Sequence, residues 1–105
     1  MNGGPSAGPA QTMVTTNHAV IRRWAERRGA NPATMPGSEY DGHGRVEVLR
    51  IDFPRYGGAG LLPVEWEDWF ATFDARRLYF RYQERRPDGS PSNFFRLERP
   101  DRPVW

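Results

Sequence analysis

Cysteine is absent from this chain, which removes a disulfide framework, a thiolate zinc site and a thiol nucleophile at one stroke. Lysine is absent as well: all 15 basic residues are Arg, a replacement we read as codon bias of a GC-rich genome rather than as function. Histidine occurs twice. No stretch approaches the roughly 20 apolar residues of a membrane span, and no charged start precedes an apolar run as in a secretory signal. Neither a membrane partner nor export is therefore expected, and the lack of cysteine fits a reducing, cytoplasmic setting. The 105 residues make one domain, too short for a (β/α)₈ barrel of about 250 residues.

Aromatic residues, by contrast, are plentiful. Six Phe, four Tyr and four Trp reach 13% of the chain, more than a disordered polymer carries, so a packed core is expected. Residues 1–14, rich in Gly, Pro, Ala and Ser, read as a disordered tail. Residues 15–100 read as a single α+β domain, and 101–105, with two prolines in the last six residues, as a frayed end. The first helix is expected over His18–Arg28, capped by Thr16 or Asn17 and closed by Gly29. Val20, Ile21, Trp24 and Ala25 form its apolar stripe. A short extended piece is expected at Ala33–Met35 and a strand at Arg45–Phe53, with Leu49, Ile51 and Phe53 on one face. Val46 and Val48 fall opposite, which predicts a bulge or two-sided burial, and Pro54 ends the strand.

A Gly-rich loop, 55–63, follows. Val64–Asp74 then repeats apolar residues at Trp66, Trp69, Phe70 and Phe73, at helical spacing throughout. Glu65, Glu67 and Asp68 suit the positive end of that helix. Leu78–Glu84 and Ser92–Arg99 alternate as two strands joined by an Asp-Gly turn, with Phe80, Tyr82, Phe95 and Leu97 inward. The expected architecture is a small antiparallel sheet of three to four strands with two helices packed on one face. Tyr79, Arg81, Gln83, Phe94, Arg96 and Glu98 are left on the outer face.

Four segments, HAVIRRWAERRGANPA (18–33), VLRIDFP (48–54), VEWEDWFATFD (64–74) and LYFRYQE (78–84), together resemble a family of small bacterial proteins without assigned activity. That family shares IRRWAE, LRIDFP, W-E-F-FD and LYQE motifs in this order, followed by a short hairpin. The resemblance spans roughly residues 17–98. It departs where the family's helix-capping Ser is Glu65. Some members are labelled 1,4-alpha-glucan branching enzymes, which leaves a carbohydrate-associated role as a weaker alternative. The label fails on size: such an enzyme needs a large barrel with carboxylates around a sugar cleft. The resemblance implies no catalytic residues.

Direct signs of chemistry are few. Glu39, Asp41 and His43 lie close together without a recognised metal spacing, and His18 opens a helix. Glu65, Glu67 and Asp68 cannot all face one pocket, and Asp74 ends its helix, so acid–base catalysis is not expected. Gly57, Gly58 and Gly60 lack the Lys-Ser/Thr of a phosphate loop, and no Ser sits in a G-x-S-x-G elbow. We therefore expect no catalytic, metal or cofactor site. The charge is more informative. The net +2 divides into +3 over residues 1–38, −5 over 39–75 and +4 over 76–105. The last segment is basic and aromatic, and Arg76, Arg77, Tyr79, Arg81, Arg85, Arg86, Phe94 and Arg96 make a candidate binding surface there. The expected function is a non-catalytic domain acting by protein–protein contacts, with the outer sheet face and the 55–62 loop as contact surfaces. The alternative is a nucleic-acid-binding module using the Arg/aromatic hairpin.

Overall fold

Asn17 sets the start of the first helix. Its extended backbone lets the side-chain oxygen accept the Val20 N–H at 3.1 Å, satisfying a donor that a helix start leaves orphaned. In the computed structural model, which describes residues 11–37, 46–54 and 60–100, this helix, α1, spans His18–Arg27. It ends in a Schellman motif. Ala30 N–H donates to Ala25 O at 2.9 Å and Gly29 N–H to Glu26 O at 3.0 Å, with Gly29 at φ +66°. The second helix, α2, spans Trp66–Ala75 and closes the same way. Leu78 N–H reaches Phe73 O at 3.1 Å and Arg77 N–H reaches Asp74 O at 3.0 Å. The left-handed residue there is Arg77, at φ +55°, where glycine would be the strain-free choice. No side chain caps α2 at Glu65, while Glu67 and Asp68 occupy its first turn and meet the helix dipole.

The α+β class holds, but the strands divide into two three-stranded antiparallel sheets instead of one. In the first, β1 (Met13–Thr15) and β6 (Phe95–Glu98) flank β5 (Tyr79–Tyr82), with Met13 opposite Tyr82 and Tyr79 opposite Glu98. The expected tail therefore stops short of Met13. A Met-Val-Thr triplet has the β propensity to add an edge strand, and this pairing draws it in. Residues 1–10 and 101–105 lie outside the described residues. In the second sheet, β2 (Asn31–Thr34) is central, between β3 (Arg50–Asp52) and the two-residue β4 (Leu62–Pro63). The extended piece expected at 33–35 starts earlier, and the strand expected at 45–53 is regular only over β3.

A proline in a central strand normally breaks a ladder. Pro32 does not, because its carbonyl accepts the Val64 N–H at 3.1 Å. Its nitrogen therefore also faces the β4 side, and the β2–β3 ladder loses no donor. Val46, off the strand face, is buried and accepts the Thr72 hydroxyl at 2.5 Å, while Val48 O accepts the Thr34 hydroxyl at 2.6 Å. Two-sided burial thus takes the form of helix and strand hydroxyls picking up carbonyls that have left the ladder.

One core joins the elements. Ile21, Trp24 and Ala25 of α1 meet Phe80 and Tyr82 of β5, and Trp69, Phe70 and Phe73 of α2 complete it with Leu49 and Ile51. Trp24 lies edge-on to Phe80 (5.4 Å), Phe53 (5.9 Å) and Phe95 (6.0 Å). Such pairs add about 0.5–1.5 kcal/mol each beyond area burial. Both buried indoles are satisfied, Trp24 Nε1–H on Gln83 O at 2.9 Å and Trp69 Nε1–H on Arg50 O at 3.0 Å. Arg28 clamps α1 to the β5–β6 connection. Its side chain is 5% exposed and donates to Ser92 O at 2.6 Å, Glu84 O at 2.7 Å and Trp24 O at 2.8 Å. The guanidinium carbon also lies 4.4 Å from the Trp24 ring centre. Burial lowers the Arg28 pKa from its ordinary value, and the Glu84 carboxylate beside it opposes that shift.

Candidate functional site

The hairpin surface expected from the sequence is assembled only in part. Tyr79, Arg81 and Arg96 share the outer face of the first sheet, Arg81 standing opposite Arg96, with Val14 of β1 beside them. Tyr79 and Phe94 are among the most exposed large apolar residues. The arginines between them are largely engaged. Arg81 Nε–H donates to Glu98 at 2.8 Å and its terminal nitrogen to the Thr12 hydroxyl at 3.1 Å. That bond lifts the Arg81 pKa and holds the Glu98 carboxyl below the ordinary carboxylate range. Arg85 donates to Gly89 O at 2.8 Å, and Arg96 covers the Phe94 ring at 5.7 Å. Arg76 and Arg77 sit at the far end of α2, away from the turn that carries Arg85 and Arg86. The eight residues therefore do not make one patch. The 39–43 cluster and most of the 55–62 loop lie outside the described residues.

A second surface brings together two residues that the sequence left unconnected. His18 in the first turn of α1 and Asp74 in the last turn of α2, 56 positions apart, are joined by a 2.9 Å bond from Nε2 to Oδ1. The ring lies flat on Phe70, 4.0 Å between centres and 3° from parallel. Phe70 in turn stacks on Trp66 at 5.1 Å. The three rings form one wall of an open groove of about 520 Å³, lined also by Ala19, Arg22, Glu67 and Ala71. The carboxylate accepts, so Nε2 carries the proton. In the neutral ring this leaves the lone pair on Nδ1. His18 and Asp74 are half-exposed, at 45% and 56%. Each stands at the helix end that the dipole disfavours for its charge: a base at a positive end, an acid at a negative one. Positions that break a local rule are expected where a site is built. The volume is in the range of ligand clefts, and among the described residues no Ser or Thr lines it.

A third feature is a cleft of about 510 Å³ between the end of α1 and the hairpin turn, lined by Arg27, Arg28, Gly29, Arg86, Ser90, Pro91 and Asn93. Among the described residues, no acidic side chain is in its lining.

These surfaces belong to a small α+β protein with two antiparallel sheets and a shared aromatic core. Among the described residues no helix is long and apolar enough to cross a membrane. No protein-family model, curated protein or solved structure matches the chain.

Proposed function

We propose that this is a non-catalytic binding domain of the bacterial family it resembles, working in the cytoplasm through contacts with another protein, and that the groove between α1 and α2 is its contact surface. One observation carries the reading: the Trp66–Phe70–His18 stack, an aromatic wall that lines an open groove, anchored in the core at Phe70 and exposed at His18, which Asp74 holds. Protein interfaces concentrate aromatic anchors at the centre and charge at the rim. Here Arg22, Glu67 and Asp74 supply the rim. A His–Asp pair can also serve as a general base, but a nucleophile would have to come from outside this lining, so recognition is the simpler use of the pair. A photoreactive benzoylphenylalanine placed at Ala71, an exposed groove residue, should form protein adducts in the native host, and the same group at Asp88 on the hairpin turn should not. Equal labelling at both positions, or none at Ala71, would defeat the proposal.

The second reading, nucleic-acid binding, is supported by the exposure of Tyr79 and Phe94 beside Arg81 and Arg96. It requires Arg81 to leave Glu98. Heparin retention that falls steeply with salt and is lost in Arg81→Glu/Arg96→Glu supports it; retention unchanged by those substitutions ends it.

A further inference from the structure

The cleft at the end of α1 has no use in either reading. We propose that it is an anion site that takes a phosphate group. Its lining brings three arginines, Arg27, Arg28 and Arg86, to one opening, with Asn93 and, among the described residues, no acidic residue. The three are not equivalent. Arg28 spends its donors on carbonyls of Ser92, Glu84 and Trp24 and contributes fixed positive charge. Arg27 makes one long contact, 3.9 Å to Glu84, and is 60% exposed. Arg86 makes no side-chain hydrogen bond or ion pair among the described residues, nor does the Asn93 amide.

Glu84 sits behind the cleft. It already faces both Arg27 and Arg28 at 3.9 and 3.7 Å, so it offsets about one of the three charges, and Asp88 on the turn acts on Arg86 from outside the lining. Arg27 and Arg86 still keep donors unspent. Like charges gathered without a counter-ion destabilise the fold, and the planar guanidinium fork matches phosphate oxygens two at a time. Among the described residues, no acidic side chain lines the cleft. Phosphate is the ligand chemistry that fits two forks and one amide donor. Arg28 provides rigidity: its bonds to the hairpin hold the α1 side of the cleft against the turn side, so the two mobile arginines converge on a fixed opening.

The test is calorimetric titration of the full chain with inorganic pyrophosphate at low salt, repeated with a single-stranded oligonucleotide bearing or lacking a 5′-phosphate. The variants are Arg27→Gln/Arg86→Gln, and Arg23→Gln as a control with the charge removed elsewhere. Arg27 and Arg86 are exposed, so the double variant should melt within a few degrees of the native protein. Pyrophosphate should bind, and the double variant should weaken it at least tenfold while Arg23→Gln changes it less than twofold. If pyrophosphate is silent but the oligonucleotide binds and is lost with the double variant, the phosphate belongs to a polymer backbone. Dependence on the 5′-group assigns it to a terminal phosphate. Equal weakening by the control variant, or no binding of either probe, overturns the site. None of these outcomes touches the α1–α2 groove, whose cross-linking test stands separately.

Discussion

Replacing Arg28 with Met tests how the two halves of the fold are held together. Methionine keeps most of the aliphatic stem and removes the guanidinium. Four carbonyls lose a donor, but not equally. Gln83 O, 3.4 Å from the guanidinium, keeps the Trp24 indole N–H at 2.9 Å, and Glu84 O keeps the Ser92 N–H at 3.1 Å. Ser92 O and Trp24 O lose the donors that reached them at 2.6 and 2.8 Å. A buried polar group left without a partner costs about 1–3 kcal/mol. The lost cation–π contact with Trp24, at 4.4 Å, adds up to about 2 kcal/mol in a desolvated setting. Relief of the arginine's own desolvation cost offsets part of this. The expected loss is about 3–5 kcal/mol, which for a domain of this size lowers Tm by roughly 15–35 °C. Arg28→Lys keeps the charge but gathers its donors on one nitrogen, so it should recover less than half. Thermal melts followed by near-ultraviolet dichroism, with urea unfolding at 25 °C, measure both. If Arg28→Met melts within about 4 °C of the native protein, the guanidinium is not what ties α1 to the hairpin, and the rigid wall assigned to the anion cleft goes with it.

Three further outcomes are expected. The paired Schellman ends predict opposite signs: Gly29→Ala should cost about 1 kcal/mol in urea unfolding, since a Cβ there meets nothing within 4 Å and the penalty is purely conformational, whereas Arg77→Gly should gain about 0.5–1 kcal/mol. Equal effects of one sign would remove the left-handed assignment at Arg77. Thr72→Val leaves the buried Val46 carbonyl without the hydroxyl at 2.5 Å and should cost about 1–3 kcal/mol, with faster amide exchange at the residues following Val46; an unchanged unfolding midpoint contradicts it. The Glu98 carboxyl is held below its ordinary value by the Arg81 bond, so its folded form binds protons less readily than the unfolded chain. The stability it adds is complete above the ordinary carboxylate range and disappears as pH falls through the folded value. Glu98→Gln should flatten that part of the acid limb of a pH–stability curve, and an identical limb refutes it.

The helices were legible because they carry their own punctuation. Asn17, Gly29 and the tryptophan-phenylalanine stripe of α2 are local signals, and the structure moves their ends by at most two residues. The sheets were less so. Asn31–Thr34 contains a proline and β4 has two residues, too little chain for alternation to register, so a second sheet had no sequence signature. Met13–Thr15 was hidden by the low-complexity residues before it. Its strand exists because β5 offers an edge, which is a tertiary fact. His18 and Asp74 are silent for a related reason: each looks ordinary alone, and only the packing of one helix end against the other makes a pair. The one legible hint was electrostatic, an acid at the end of a helix where a base would be more stable. Arg28 was read only as the last residue of the first helix, because nothing local distinguishes a buried arginine from a solvated one.

The first sheet is assembled from strands near opposite ends of the described chain, Met13–Thr15 and Phe95–Glu98 closing on Tyr79–Tyr82. This has a consequence for the order of events on the ribosome. When α1 emerges, its apolar face, Ile21 and Trp24 included, is largely uncovered: Phe53 follows 29 positions after Trp24, and Phe80, Tyr82 and Phe95 only 56, 58 and 71 positions after it. The second sheet and α2 are synthesised in between and can dock first. The nascent protein therefore passes through a stage with an uncovered tryptophan helix and an unpaired leading strand, ended only when β5 arrives and satisfies both. Exposed apolar surface of that kind invites chaperones or aggregation. Translation stalled just before Tyr79 should produce the most adhesive intermediate, and release beyond Glu98 the least.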